Sequence, residues 1–299
     1  MKADLSIIVV AYNSAETIEK CLRSVLDNLP RSLRTNVVVV DNASSDDSVA
    51  IVRDGFPEVA LIESETNLGF GVGNNLGMDA FPARYYYLHN VDAYLQEPIL
   101  EDVVAQLDAS PAVGIAGLPL VYPDFTPQTG AFSRSSPTKW ALQELKVDKL
   151  VRGLLNFPLT RPLGGLLRQT RFGKTFVGTH APAAINEGKP LKVDWVCGAA
   201  MVIREEVRAQ LGGFDPNIFL YGEDEDLCIS ARAGEWEVVQ LPVKPVIHDF
   251  GWGKRKGRST KVAELKAASL RYFIDKHWHR PNPSWIAMRT LLWVKQRSW

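Results

Sequence analysis

Leu5-Ser6-Ile7-Ile8-Val9-Val10-Ala11-Tyr12-Asn13 and Val37-Val38-Val39-Val40-Asp41-Asn42-Ala43-Ser44 decide the fold of this chain. Each is an apolar run rich in β-branched residues that ends abruptly in polar ones. A half-exposed strand alternates apolar and polar residues, whereas a nearly continuous apolar run is covered on both faces, as in a helix-flanked parallel sheet. Between the two runs, Thr17, Ile18, Cys21, Leu22, Val25 and Leu26 recur at helical spacing behind Ser14, a candidate cap. The pattern continues outward. Ser44 or Ser45 opens a short helix through Ile51 and Val52, residues 59–62 read as a third strand, and a third helix begins at Gly73 and runs to Ala80. Residues 84–88 then read as a strand, 97–107 as a helix and 113–118 as a fifth strand. Strands separated by helices of this length form βαβ units, so the fold class is α/β with a mostly parallel sheet flanked by helices.

Beyond Pro119 the pattern changes. Pro119, Pro123, Pro127 and Pro137 punctuate an irregular stretch, and residues 139–174 form a basic, Leu-rich insertion broken by Pro158 and Pro162. Order is expected again over residues 193–203, in a helix over about 205–211, and in a helix from the acidic segment 223–226 through Arg232. A strand over 237–240, a helix around 260–277 and a Trp-rich tail from Trp285 to Trp299 complete the chain.

The 299 residues are 46% hydrophobic and 23% charged, which excludes the disordered and fibrous classes. Cys21, Cys197 and Cys228 are odd in number and widely spaced, so neither a disulfide framework nor a zinc site is expected, and a reducing compartment is. The first apolar run lacks the cleavage site of an export signal. No stretch reaches the ~18 apolar residues of a spanning helix, so the expected protein is soluble or lies on a membrane surface. Net charge is zero but unevenly spread: residues 139–174 sum to +6 and residues 252–299 to +10, leaving −16 elsewhere. Two basic surfaces on an acidic body fit either solvated helix faces or attachment to an anionic surface. Nucleic acid is not an expected partner, since the basic segments carry no nucleic-acid motif.

In open α/β sheets ligands bind beyond the carboxyl ends of the strands. Those positions are polar here: Ala11-Tyr12-Asn13 after the first strand, Asp41-Asn42 after the second, the Gly-rich segment from Asn67 through Gly69-Phe70 to Asn74 after the third, and His89-Asn90-Val91-Asp92 after the fourth. Asp41 suits uncharged donors such as a ribose hydroxyl or a base N–H, and the Tyr12 ring suits the base; Asp41 and Asn13 also read as helix caps. The glycines read as a loop whose backbone approaches a ligand closely. The spacing of Gly71, Gly73 and Gly77, and their place after the third strand, do not fit a dinucleotide fingerprint. Asn90 and Asp92 supply oxygen ligands for Mg²⁺ or Mn²⁺. His248 is a second candidate ligand, followed by a basic, Gly-rich loop containing Lys254 and Arg258 that suits a diphosphate. Glu223-Asp224-Glu225-Asp226 is the densest acidic cluster, and mutual repulsion there raises at least one carboxyl pKa.

This ordered set resembles family 2 glycosyltransferases of the GT-A fold, in particular their bacterial rhamnosyltransferase-like branch. The matching pieces are residues 9–13, 40–44, 67–71, 90–92, Cys197-Gly198-Ala199-Ala200, Gly213-Phe214-Asp215 and Gly222-Glu223-Asp224-Glu225-Asp226. The resemblance implies a Rossmann-like nucleotide-sugar half over 1–120, an acceptor-binding and catalytic half over 121–260, and C-terminal amphipathic helices over 261–299. It implies Asp41 on the nucleotide, Asp92 and His248 on the metal, and Asp224 as general base assisted by Glu223 or Asp226. It places the acceptor against Trp195, Cys197, Gly198 and Tyr221. Asn90 stands where the family often has the first carboxylate of Asp-x-Asp, which implies a cation supplied with the nucleotide. The expected activity is inverting transfer of a sugar from a dTDP- or UDP-linked donor to a glycan or lipid-linked acceptor in cell-surface polysaccharide synthesis, with L-rhamnose as the candidate sugar. A nucleotidyltransferase and a non-catalytic carbohydrate-binding module are the alternatives. The Trp- and Leu-rich basic segments lead to an expected cytoplasmic location, peripheral on the inner face of the membrane; packing on the domain or on a second subunit is their other reading.

Overall fold

The computed structural model describes residues 2–136, 188–249, 260–278, 285–286 and 289–290. The insertion 139–174, Lys254, Arg258 and most of the Trp-rich tail lie outside the described residues.

The first strands and helices follow the apolar runs of the sequence. Strands β1 (Ala3–Ala11), β2 (Thr35–Asp41), β3 (Ala60–Glu63) and β4 (Ala83–His89) alternate with helices α1 (Ile18–Asp27), α2 (Ser48–Gly55) and α3 (Gly69–Ala80). These four strands lie side by side in the order β3-β2-β1-β4, all parallel. Successive side chains leave opposite faces of a strand, so the runs split into two cores. Ile7, Val9, Val37, Val39, Tyr85 and Tyr87 pack beneath Cys21, Leu22 and Val25 of α1 and Val52 of α2. Ile8, Val38, Val40, Tyr86 and Leu88 pack with Met78 of α3 on the other face.

The second half adds β5 (Ala93–Tyr94), α4 (Leu100–Asp108), β6 (Val113–Gly117), β7 (Leu120–Val121), β8 (Pro127–Gln128) and β9 (Ala131–Phe132). After residue 188 come β10 (Leu191–Lys192), β11 (Trp195–Val196), β12 (Ala200–Arg204), α5 (Glu205–Leu211), α6 (Glu223–Ala233), β13 (Glu237–Gln240), β14 (Val246–His248) and α7 (Thr260–His277). The main sheet runs β10-β13-β6-β12-β4-β1-β2-β3. Its central strand β12 is antiparallel to both neighbours, with Ala200 opposite His89 and Met201 opposite Gly117. A strand entering in reverse starts where its neighbours end, so Gly198 and Ala199 lie beside the end of β4, and Asn90 N–H donates to the Ala199 carbonyl (3.0 Å). A four-stranded sheet, β5-β14-β7-β8, and the ribbon β9-β11 stand apart from the main sheet.

Three expectations are corrected. The ordered stretch 193–203 is split between separate sheets, because β11 pairs with β9 while β12 enters the main sheet. Ser14 does not cap α1 with its side chain; Thr17 is the capping position, and Ser14 N–H instead donates to the Ser48 hydroxyl (2.7 Å), tying α1 to α2. The Gly-rich segment is the first turns of α3 rather than a loop before it. Its glycines let the helix settle on the sheet: a Cβ at Gly77 would lie 2.7 Å from Ile8 Cγ2 and 3.2 Å from Val40 Cγ2. Gly77→Ala is therefore expected to lower the unfolding free energy by about 1–3 kcal/mol through overpacking, measured by urea denaturation; an unchanged midpoint would show that α3 can lift at no cost.

Candidate active site

Strands β1 and β2 end in register at Ala11 and Asp41, and both chains leave through left-handed residues, Asn13 (φ 51°) and Ala43 (φ 60°). Asn13 Oδ1 accepts from the Ser45 N–H (2.8 Å) and hydroxyl, which locks the two turns together. Asp41 is 2% exposed. Its Oδ2 accepts from Ser44 N–H (2.9 Å), while Oδ1 is buried with no partner. Asn42 donates to the Gly69 carbonyl (3.0 Å), and its Oδ1 is likewise buried and unpartnered. A buried acceptor without a donor costs about 1–3 kcal/mol, so two at one strand end make a place that a ligand's N–H or O–H groups relieve. Tyr12 stands beside them with half its surface exposed.

The residues after β3 serve the scaffold. Asn67 Oδ1 accepts from Gly69 N–H (2.9 Å) at the entry to α3. The Phe70 ring meets Phe214 edge-on at 6.1 Å and lies against Gly198, where an added Cβ would come within 2.9 Å of it. Asn74, expected near the ligand, is buried and donates to the Phe70 carbonyl (2.9 Å), one turn back.

Asp92 and His248 come together as expected. The small sheet does this: His248 pairs with Ala93 across β5 and β14, and Asp249 N–H donates to the Asp92 carbonyl (2.9 Å). His248 Nε2 lies 3.3 Å from Asp92 Oδ1, and His248 Nδ1 lies 2.6 Å from Gln128 Oε1. A hard carboxylate oxygen and an imidazole nitrogen converging at one point fit Mn²⁺ or Mg²⁺. Among the described residues no group of three or more His, Cys, Asp or Glu side chains could hold a metal ion. Asn90, one turn away, holds the corner through its backbone: its carbonyl accepts from Ala93 N–H (2.9 Å) and from the Cys21 thiol (3.7 Å).

The four adjacent carboxylates at the start of α6 have separate fates. Glu225 accepts from Ser135 N–H (2.6 Å), and burial pushes its carboxyl from the ordinary 4.5 up to about 7. Between those values the folded chain keeps a proton that the unfolded chain has released, so this group costs stability as pH rises through 7. Asp226 is 2% exposed and receives Lys276 Nζ (2.9 Å) and His277 Nε2 (2.6 Å) from the end of α7. Lys276 also reaches Asp215 (2.7 Å). Burial acts to raise the Asp215 carboxyl, but bonds from Lys276, Asn217 and Tyr272 outweigh it and draw it from 3.8 to about 2. That contribution is present above 3.8 and is lost as pH falls through 2. Glu223 is buried, with one carboxyl oxygen unpartnered, and burial and the neighbouring Asp224 raise its pKa. Asp224 alone of the four is not fully buried. Among the described residues its oxygens accept backbone N–H groups from Gly198 (3.2 Å) and Glu225 (2.9 Å), and burial raises its pKa.

Of the residues expected at the acceptor, Gly198 bonds to Asp224 through its N–H. Cys197 N–H donates to the Gly130 carbonyl (2.8 Å); burial and then the Asp224 carboxylate push its thiol up to about 12, so it is a neutral packing group. Trp195 stacks on Phe132 at 4.0 Å, with its indole N–H buried and unpartnered. Tyr221 is exposed on a left-handed backbone (φ 69°) with Lys266 Nζ 4.2 Å from its ring centre. The sequence reading missed Gln128, Lys276 and His277, whose partners lie far away along the chain.

A model described as glycosyl transferase family 2 matches residues 6–181. The chain belongs to this family. Among curated relatives of this family 2 enzyme, the N-acetylglucosaminyl-diphospho-decaprenol L-rhamnosyltransferase of Mycobacterium tuberculosis is 23% identical, over 97% of this chain and 93% of its own. The low-salt glycan biosynthesis hexosyltransferase Agl10 of Haloferax volcanii is 26% identical, over 83% of this chain and 68% of its own. Among solved structures, the mannosyltransferase PcManGT of Pyrobaculum calidifontis, in complex with GDP-Man and Mn²⁺, superposes with a TM-score of 0.57 at 17% identity, covering 99% of this chain and 70% of its own. Such neighbours are GT-A glycosyltransferases, and the fold here is theirs. The chain is a glycosyltransferase, which sets aside the nucleotidyltransferase and binding-module readings.

Asp226 anchors α7 to the head of α6. Asp226→Asn is expected to lower stability by about 1.5–3 kcal/mol, the worth of hydrogen bonds to a charged group, in urea titrations at neutral pH; a loss below about 0.5 kcal/mol would show that the clamp adds no more than a surface pair.

Proposed function

We propose that this enzyme transfers L-rhamnose from a dTDP- or UDP-linked donor to a glycan or lipid-diphosphate-linked acceptor, by single displacement with inversion, in cell-surface polysaccharide synthesis. The relative whose name gives both the sugar and a decaprenyl-diphosphate-linked acceptor aligns over nearly the full length of both chains, which supports that choice. The nucleotide lies at the ends of β1 and β2, its base against Tyr12 and its uncharged donors on the unpartnered oxygens of Asp41 and Asn42. Asp92 and His248 would hold Mg²⁺ or Mn²⁺. When bound, that cation neutralises charge on the diphosphate.

The observation that carries the mechanism is the partial exposure of Asp224 among three buried carboxylates. Asp224 takes the proton of the acceptor hydroxyl as its oxygen attacks the anomeric carbon. The bond from that carbon to the diphosphate breaks, and the diphosphate leaves with the electron pair. Burial and the neighbouring Asp224 raise the Glu223 pKa, which favours its protonated form beside the base. Asp226 supports the head of α6 rather than the chemistry.

A base must be ionised, and the Asp224 pKa is raised, so kcat/KM is expected to rise with pH along an acid limb above the ordinary carboxylate range. Asp224→Asn is expected to lower kcat by at least about 100-fold, the low end for general-base catalysis, while thermal stabilisation by the donor nucleotide is kept. Near-normal turnover in this variant, measured across dTDP-rhamnose, UDP-GlcNAc and GDP-mannose, would remove Asp224 from the role. No helix among the described residues is long and apolar enough to cross a membrane. Trp285 and Arg289 are bound to Asp275 of α7 (2.9 Å each), which places the start of the tail against the protein. We assign the basic segments a peripheral role on the inner face of the cytoplasmic membrane. Co-flotation of the full chain with anionic liposomes at low salt is expected, and its absence would refute the assignment.

A further inference from the structure

An imidazole binds a metal only through a nitrogen that carries no proton, and which nitrogen that is depends on what the other one meets. His248 Nδ1 meets Gln128 Oε1 at 2.6 Å. A carboxamide oxygen only accepts, so Nδ1 carries the hydrogen. The orientation of the amide is fixed independently, because Gln128 Nε2 donates to the backbone carbonyl of the same histidine (3.3 Å). Flipping the amide would set its NH₂ against Nδ1 and its oxygen against a carbonyl, losing that donation. With Nδ1 engaged, Nε2 is the nitrogen that faces Asp92 Oδ1 at 3.3 Å.

Among the described residues the Gln128 carboxamide bonds to no residue other than His248; Gln128 is 6% exposed and sits on a strand of two residues. Its carboxamide spans both the backbone and the ring of His248. A buried amide satisfied by one residue alone is a device for orienting that residue. Gln128 lies between the short motifs quoted from the sequence, in a part of the chain with no periodic signal.

We propose that Gln128 is the positioning residue of the cation site: its carboxamide fixes the His248 ring with Nδ1 protonated and Nε2 turned to Asp92, so that the two ligands are set before a nucleotide arrives. The inference rests on the proposed reading of Asp92 and His248 as the cation ligands. Gln128 touches neither donor nor acceptor in this role and acts only through His248.

The test measures Mn²⁺ affinity directly, by electron paramagnetic resonance of free Mn²⁺ titrated into the full-length protein with saturating UDP and, separately, dTDP. Asp92→Asn and His248→Ala report the ligands, and Gln128→Leu reports the positioning. Gln128→Leu is expected to weaken Mn²⁺ binding by about 10- to 100-fold, the range for partners of metal-bound histidines. Nitrogen-15 spectra of the His248 ring without metal give a second readout: one tautomer, protonated at Nδ1, in the wild type, and a mixture in the variant. If the Leu variant does not fold, Gln128→Met keeps the length of the side chain and is read the same way. Unchanged affinity and an unchanged tautomer in the Gln128 variant, with both ligand variants weakened, would overturn the positioning role alone. If Asp92→Asn and His248→Ala also leave Mn²⁺ binding unchanged, the cation reading falls and the inference with it.

Discussion

The antiparallel entry of β12 between β4 and β6 is the constraint on which the site depends. A fully parallel sheet would put the start of this strand at the far end of the molecule from the end of β4. Reversed, and with Ala200 opposite His89, the strand begins where β4 stops, so Gly198 and Ala199 lie beside Asn90. The Gly198 N–H then reaches Asp224 of α6, and its lack of a side chain leaves room for Phe70 of α3. One register thereby joins the end of β4, the Asp92–His248 corner and the carboxylate helix α6. The small sheet adds the second joint by pairing His248 with Ala93.

The four carboxylates show how one acidic run is divided among tasks by its surroundings. A helix places successive residues about 100° apart, so adjacent side chains cannot share an environment. Glu225 turns to the backbone at Ser135, Asp226 to the end of α7, and Glu223 into the protein. Asp224 is the one of the four that keeps part of its surface exposed. The Lys276 and His277 contacts also make α7 part of the active-site frame, since they hold the first turn of α6 in place.

Legibility in the sequence followed burial. Strands β1, β2 and β4 are covered on both faces and so announce themselves as apolar runs, and their polar ends pointed to Asp41 and Asp92. The direction of β12 was not legible, because a buried strand has the same composition whichever way it runs. Strands of two residues, such as β5, β8 and β11, are too short for any period to register. The glycines of α3 carried a true signal of close approach: Gly77 meets Ile8 and Val40 of the sheet, and Gly71 meets Phe214. Gln128, Lys276 and His277 act only through partners at least fifty residues away, and no local pattern marks such residues.

The central claim is that the ends of β1, β2 and β4, the corner at His248 and the head of α6 form one site. The most direct measurement is a crystal structure with Mn²⁺ and a nucleoside diphosphate, with the metal located by its anomalous scattering. The account predicts Mn²⁺ in contact with Asp92 and His248 Nε2, the base beside Tyr12 and Asp41, and the open end of the diphosphate directed toward Asp224. Mn²⁺ bound away from both ligands, or a nucleotide seated elsewhere than the ends of β1 and β2, would contradict it.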